Sequence, residues 1–183
     1  AVFRLVLSLP AQATTYYHFE NFKDLDDAVV TPGSGGNSYE WTFNLNADLM
    51  PLWEVEEPLN FCGSDWPTTN LYGHMTSEDI LHRAYLIMKF AASSFVVALD
   101  GSDTTLTPGP GAPPDVRSYL MADHQLIVEV RLGSSGFDTF EEMNLCGCFE
   151  VFDAQGGGDP VPEPGTLTLL GMGVAIVALR LRK

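Results

Sequence analysis

Three cysteines, four histidines and two tight groups of aspartates are the residues of this 183-residue chain whose types could do chemistry. Cys146 and Cys148 are two apart, so a strand would point both to one face, where they seldom bond each other. A disulfide from Cys62 to one of them, leaving one thiol, is one expectation; three reduced cysteines is the other. The Cys-x-Cys pair has no second Cys or His pair at zinc spacing, so it makes a weak metal site. His18, His74, His82 and His124 form no H-x-x-x-H or H-E-x-x-H pattern. Each is expected to be a surface or strand residue. No serine sits in a Gly-x-Ser-x-Gly elbow, and Gly156 to Gly158 lack the Lys, Ser and following helix of a phosphate loop. No residue is therefore assigned as catalytic, and the chain is read as a non-enzyme.

The aspartates suggest one ion. Asp24, Asp26 and Asp27 cluster in one loop, and Asp100 and Asp103 share another. Ca²⁺ takes six to eight oxygens, and acid-rich loops supply them. Neither group has EF-hand spacing, so Asp24, Asp26 and Asp27 stand as candidate Ca²⁺ ligands against the alternative of solvated acids in turns. No other cofactor is expected. The same carboxylates could serve a glycosidase, but that depends on a distance in space that spacing does not give. Trp53, Trp66 and Tyr72 lie in one long segment with Phe61 nearby. Exposed rings of this kind stack on sugars; buried ones fill a core.

Strands must position these groups. Period-2 alternation puts Trp41, Phe43 and Leu45 on one face, then Ala84, Leu86, Met88 and Phe90, then Leu126, Val128, Val130 and Leu132. Phe95 to Leu99 is a further run that ends at Asp100-Gly101, a turn signal. Tyr16 to Phe19 reads as a first strand and Cys148 to Phe152 as a last one. Asp115 to Leu120 fits either a strand start or one helical turn. Loops rich in Pro and Gly, at 31–36 and 107–114, separate the runs. No sustained helical period appears before the tail. The fold class is all-β, a single β-sandwich of jelly-roll or immunoglobulin-like type spanning residues 14–155.

Charge narrows the partners. Between residues 14 and 161 stand five basic residues against 23 carboxylates, a difference of −18. Such a surface repels phosphate backbones, so nucleic acid is excluded as a partner.

The two ends read as targeting. Arg4, the apolar run Leu5 to Leu9, Pro10 and Ala11-Gln12-Ala13 have the order of a secretory signal peptide ending in an A-x-A site, so residues 1–13 are expected to be its remnant. A first strand over Val2 to Leu9 is the alternative. At the other end, residues 156–161 form a Gly/Pro linker, followed by Pro162-Glu163-Pro164, an apolar stretch at 167–181, and the basic residues Arg180, Arg182 and Lys183. Thirteen residues of helix, from Leu167 to Leu179, span about 20 Å. That is short for a hydrocarbon core of roughly 30 Å, and needs thinning or snorkelling arginines. The basic cluster belongs on the cytoplasmic side, which puts the acidic domain outside.

Pro162-Glu163-Pro164, a short apolar helix and a terminal basic cluster resemble the PEP-CTERM sorting signal over residues 162–183. The resemblance implies a Gram-negative, exopolysaccharide-making host. It also implies exosortase as partner, with Pro162, Glu163 and Pro164 as its recognition element. The helix would anchor the chain transiently in the inner membrane through Arg180, Arg182 and Lys183. A looser resemblance links Trp41 to Leu45, Asp79 to Leu86, Leu99-Asp100-Gly101 and Asp115 to Leu120 to a domain common in PEP-CTERM cargo; it implies the sandwich and no activity. The resulting expectation is an exported, non-catalytic protein of the cell surface or an exopolysaccharide matrix. The alternatives are a carbohydrate-binding module using Trp53, Trp66 and Tyr72, and, third, a secreted hydrolase.

Overall fold

The computed structural model describes residues 15–58, 62, 68–109 and 112–151, all within one compact unit, Ala13–Phe152. The expected signal peptide, the linker, the helix at 167–181 and the residues Trp66, Pro162, Glu163, Pro164, Arg180, Arg182 and Lys183 lie outside the described residues.

Ten strands are described. They are β1 (Tyr16–Lys23), β2 (Val29–Gly33), β3 (Gly36–Asn44), β4 (Met50–Val55), β5 (Tyr72–Gly73), β6 (Ile80–Ala91), β7 (Phe95–Leu99), β8 (Ser102–Thr104), β9 (Gln125–Leu132) and β10 (Thr139–Glu150). One helical turn, α1 (Arg117–Leu120), resolves the ambiguity at 115–120. A first sheet has the order β5-β4-β1-β10-β6 and a second has β2-β3-β9-β7-β8. Every pairing between these strands is antiparallel.

Both sheets contribute to one apolar core. Phe19, Leu86, Met143, Leu145 and Phe149 from the first sheet join Trp41, Phe43, Val97, Leu126 and Val128 from the second. Trp41 is fully buried and lies parallel to Phe140, with ring centroids 5.4 Å apart. Its indole N–H donates to the Asp24 carbonyl at 2.7 Å, so the large ring is buried without an orphan donor.

Two local features fix the frame. Asp100 and Gly101 both adopt positive φ, 47° and 75°, which is the type I′ turn that a two-residue hairpin between β7 and β8 needs. The outer edge of β6 is covered rather than left open. Leu86 N–H donates to the Pro114 carbonyl at 3.1 Å, Val116 N–H to Ala84 at 2.9 Å, and Gly109 N–H to Met88 at 3.2 Å. The proline-rich segment read as a loop is thus a guard strip for a sheet edge.

Expected and observed strands differ most at the end of the chain. The last strand begins at Thr139 rather than Cys148 and ends at Glu150. β2, β4, β5 and β8 have no counterpart among the expected runs. β4 carries Pro51 and Glu54, and β2 and β5 are mostly exposed, so neither composition nor alternation marks them.

Candidate functional site

The outer face of the first sheet gathers His18, Glu20, Cys146 and Cys148. Alternation along β1 sends Phe19 to the core and Tyr16, His18 and Glu20 to the other side. Along β10 it sends Met143, Leu145 and Phe149 to the core, leaving Asn144, Cys146 and Cys148 outward. Register then sets the rows. His18 lies between Cys148 on β10 and Trp53 on β4, and Glu20 faces Cys146. On the far side Cys148 faces Arg83 and Cys146 faces Tyr85 of β6.

An outward face is ordinarily wet, but this one is closed. His18, Cys146 and Cys148 are 0% exposed, Asn144 2% and Glu20 8%. Cys62 forms a disulfide with Cys146, with a Cα–Cα separation of 5.9 Å, well inside the range such bonds require. The bond pins the connection between β4 and β5 to the middle of β10. It closes a chain span of 84 residues, worth about 4 kcal/mol by loop-closure entropy. Cys148 is buried and outside that bond.

Two histidine–glutamate contacts lie on this face. His82 Nε2 is 2.9 Å from Glu150 Oε2, with the Tyr16 ring packed edge-on to the imidazole at 5.5 Å. His18 Nε2 is 3.8 Å from Glu20 Oε1, and its ring is 5.6 Å from that of Trp53. A carboxylate beside an imidazole is the geometry that orients a general base. A cavity of about 430 Å³ lies elsewhere, between the outer side of β6 and residues of the proline-rich strip such as Pro108 and Pro114. Its lining includes Cys62, Ile87, Lys89 and Pro114 and contains no imidazole and no carboxylate. Lys89 at its rim is held by Glu142 at 2.6 Å, a contact that raises the ammonium pKa above its ordinary value.

The remaining candidates fall into separate places. Asp24 and Asp27 cap their own turn: Asp24 N–H donates to Asp27 Oδ2 at 2.8 Å, and Asp24 Oδ1 accepts from Asp26 N–H at 2.8 Å and Asp27 N–H at 3.2 Å. These are the hydrogen bonds of an Asx turn. Asp100 accepts from Ile127 N–H at 2.9 Å, and Asp103 is bonded to Arg131. Among the described residues no group of three or more His, Cys, Asp or Glu is arranged to hold a metal ion. Trp53 and Tyr72 share the outer face of the first sheet, because Tyr72 pairs with Pro51 two residues before Trp53. Tyr72 is 56% exposed, whereas Trp53 is half-buried against His18. Sequence reasoning treated the histidines singly. The signal it missed was the shared parity of Tyr16, His18 and Glu20 with Cys146, Cys148 and Glu150.

One further side chain locks an end of the sheet. Asp48 Oδ2 accepts from Asn21 Nδ2 at 2.7 Å and from Asn44 N–H at 3.0 Å, and lies 3.2 Å from Lys23 Nζ. Burial pushes its carboxyl upward, but these three partners outweigh burial and hold it below the usual carboxylate range.

Residues 160–183 match the family model described as the PEP-CTERM protein-sorting motif. No curated protein and no solved structure matches the chain. The match takes in Pro162-Glu163-Pro164, the apolar stretch and the terminal basic residues together. Residues 160–183 therefore carry a PEP-CTERM sorting motif, which indicates an exported protein sorted by exosortase.

Proposed function

We propose that this protein is a non-catalytic component of the cell surface or extracellular matrix, delivered as a disulfide-bearing β-sandwich. The apolar stretch at 167–181 holds the domain transiently at the inner membrane, with Arg180, Arg182 and Lys183 on the cytoplasmic side. Exosortase then acts at Pro162-Glu163-Pro164. The reading rests above all on one observation, the sorting motif at residues 160–183. A disulfide is also at home in an oxidising exterior. Fractionation of the native host tests it. The domain should accumulate with the extracellular matrix and be lost from it when exosortase is deleted. Retention in the cytoplasm would refute the reading.

A second reading is favoured by the shared face of Trp53 and Tyr72. Rings on one face of a sheet can stack on a neutral polysaccharide. Affinity electrophoresis through the host's own exopolysaccharide would show retardation, relieved by Tyr72→Ala. Unretarded migration of the unaltered protein would remove this reading and leave the first intact.

A further inference from the structure

The covered face holds a nucleophile, a base and an electrophile that the proposed function leaves idle. Cys146 and Cys148 leave the same side of β10, roughly 6.6 Å apart along the strand. Cys62 is bonded to Cys146. Cys148 is the direct cross-strand partner of His18, a register that places Cβ atoms about 5 Å apart. Behind the imidazole stands Glu20, with Oε1 3.8 Å from His18 Nε2. A thiol cross-strand from an imidazole, with a carboxylate on the same face, brings together the group types that activate cysteine nucleophiles. The disulfide one pleat away is what such a thiol attacks.

We propose that the disulfide is mobile within the folded protein and moves Cys62 between Cys146 and Cys148, with His18 carrying the proton. The imidazole takes the proton from Cys148 Sγ. The thiolate attacks Cys62 Sγ, the Cys62–Cys146 bond breaks, and its electron pair stays on Cys146. The Cys146 thiolate then receives the proton from the imidazolium. One disulfide and one thiol stand on each side of the step, so no oxidant or reductant is consumed. Complete burial of Cys146 and Cys148 keeps outside thiols from these two sulfurs, while Cys62 is partly exposed. Each transfer moves Cys62 by two residues along β10, from the row of Glu20 and Tyr85 to the row of His18 and Trp53. Cys62 thereby gains two seats on the same face.

The test uses the full chain in detergent. The two isomers are separated by reversed-phase chromatography in acid, where thiols stay protonated. The Cys62–Cys146 form is then returned to near pH 8, where a free thiol of pKa about 8.5 is part-ionised. Samples are quenched over time, alkylated with N-ethylmaleimide in denaturant, and the Cys146–Cys148 peptide is fragmented to place the label. The label should begin on Cys148 and spread to Cys146, and His18→Gln should slow the spread about tenfold or more. Label confined to Cys148 at all times would overturn the exchange. Spread at the unaltered rate in His18→Gln would overturn the role of His18. Cys146→Ser gives an independent reading: a folded variant with no free thiol, its disulfide now Cys62–Cys148, is expected, and two free thiols in a folded variant would contradict the second seat.

Discussion

The two sheets of this sandwich have opposite outer faces. On the second sheet β9 alternates strictly: Leu126, Val128, Val130 and Leu132 are buried, while Ile127, Glu129 and Arg131 point outward. Its outer row is polar and wet. Ser38 Oγ donates to Glu129 Oε1 at 2.5 Å, and Arg131 is bonded to Asp103. On the first sheet the burial of β10 does not alternate from Met143 to Phe149, where every residue is buried. The difference is cover. The Cys62–Cys146 disulfide stands on that face, and the residues around it form a second interior. That interior is lined by His18, Glu20, Asn144 and Cys148 instead of aliphatic side chains. Groups that are merely solvated on the second sheet are confined on the first, where their mutual geometry acquires chemical meaning.

Four substitutions probe that contrast, in falling order of effect. Cys62→Ser removes the tie and should cost about 4 kcal/mol of stability, with the covered face losing its amide-exchange protection before the core does. Urea unfolding and native-state hydrogen exchange report the two parts. If protection at Cys146 and Cys148 were unchanged, the cover would not depend on the disulfide. Cys148→Leu overpacks a fully buried outward site and should cost about 1–3 kcal/mol by urea midpoint. A neutral outcome would show that the face is loosely covered.

Asp48→Asn addresses a lock at the end of the first sheet. The folded pKa of Asp48 lies below its unfolded value, so its contribution is present above the ordinary carboxylate pKa of about 3.9 and is lost as pH falls through the lower folded value. The variant should lose about 1 kcal/mol at neutral pH and show a flatter decline in stability in acid. Parallel pH profiles for variant and parent would remove Asp48 from the account. Val96→Leu enlarges an exposed side chain on the open face, 41% accessible, and should change stability by less than about 0.5 kcal/mol. A larger loss would mean that the second sheet's outer face is also covered.

The same contrast explains what the sequence made legible. β3, β6, β7 and β9 face a core on one side and weaker burial or solvent on the other, so Trp41, Phe43, Leu86, Val128 and their neighbours fall at alternate positions. The middle of β10 was invisible because burial on both faces erases the period: Met143, Asn144, Leu145 and Cys146 are all interior. β4 was hidden by Pro51, tolerated near its start, and β2 by its exposure. The candidate site was unreadable for a different reason. His18 meets Cys148 across 130 residues of chain through a strand pairing, β1 with β10, that no local pattern encodes. The sorting tail was fully legible, because its recognition depends on the linear order of a short motif, an apolar stretch and terminal charge.

The central claim is that the sandwich is cargo and the tail is a cleavable address. Intact mass of the full chain, expressed in a host with exosortase and in one without, tests it most directly. The account expects a product ending between Pro162 and Pro164 in the first host only. A full-length, membrane-bound product in both hosts would contradict it.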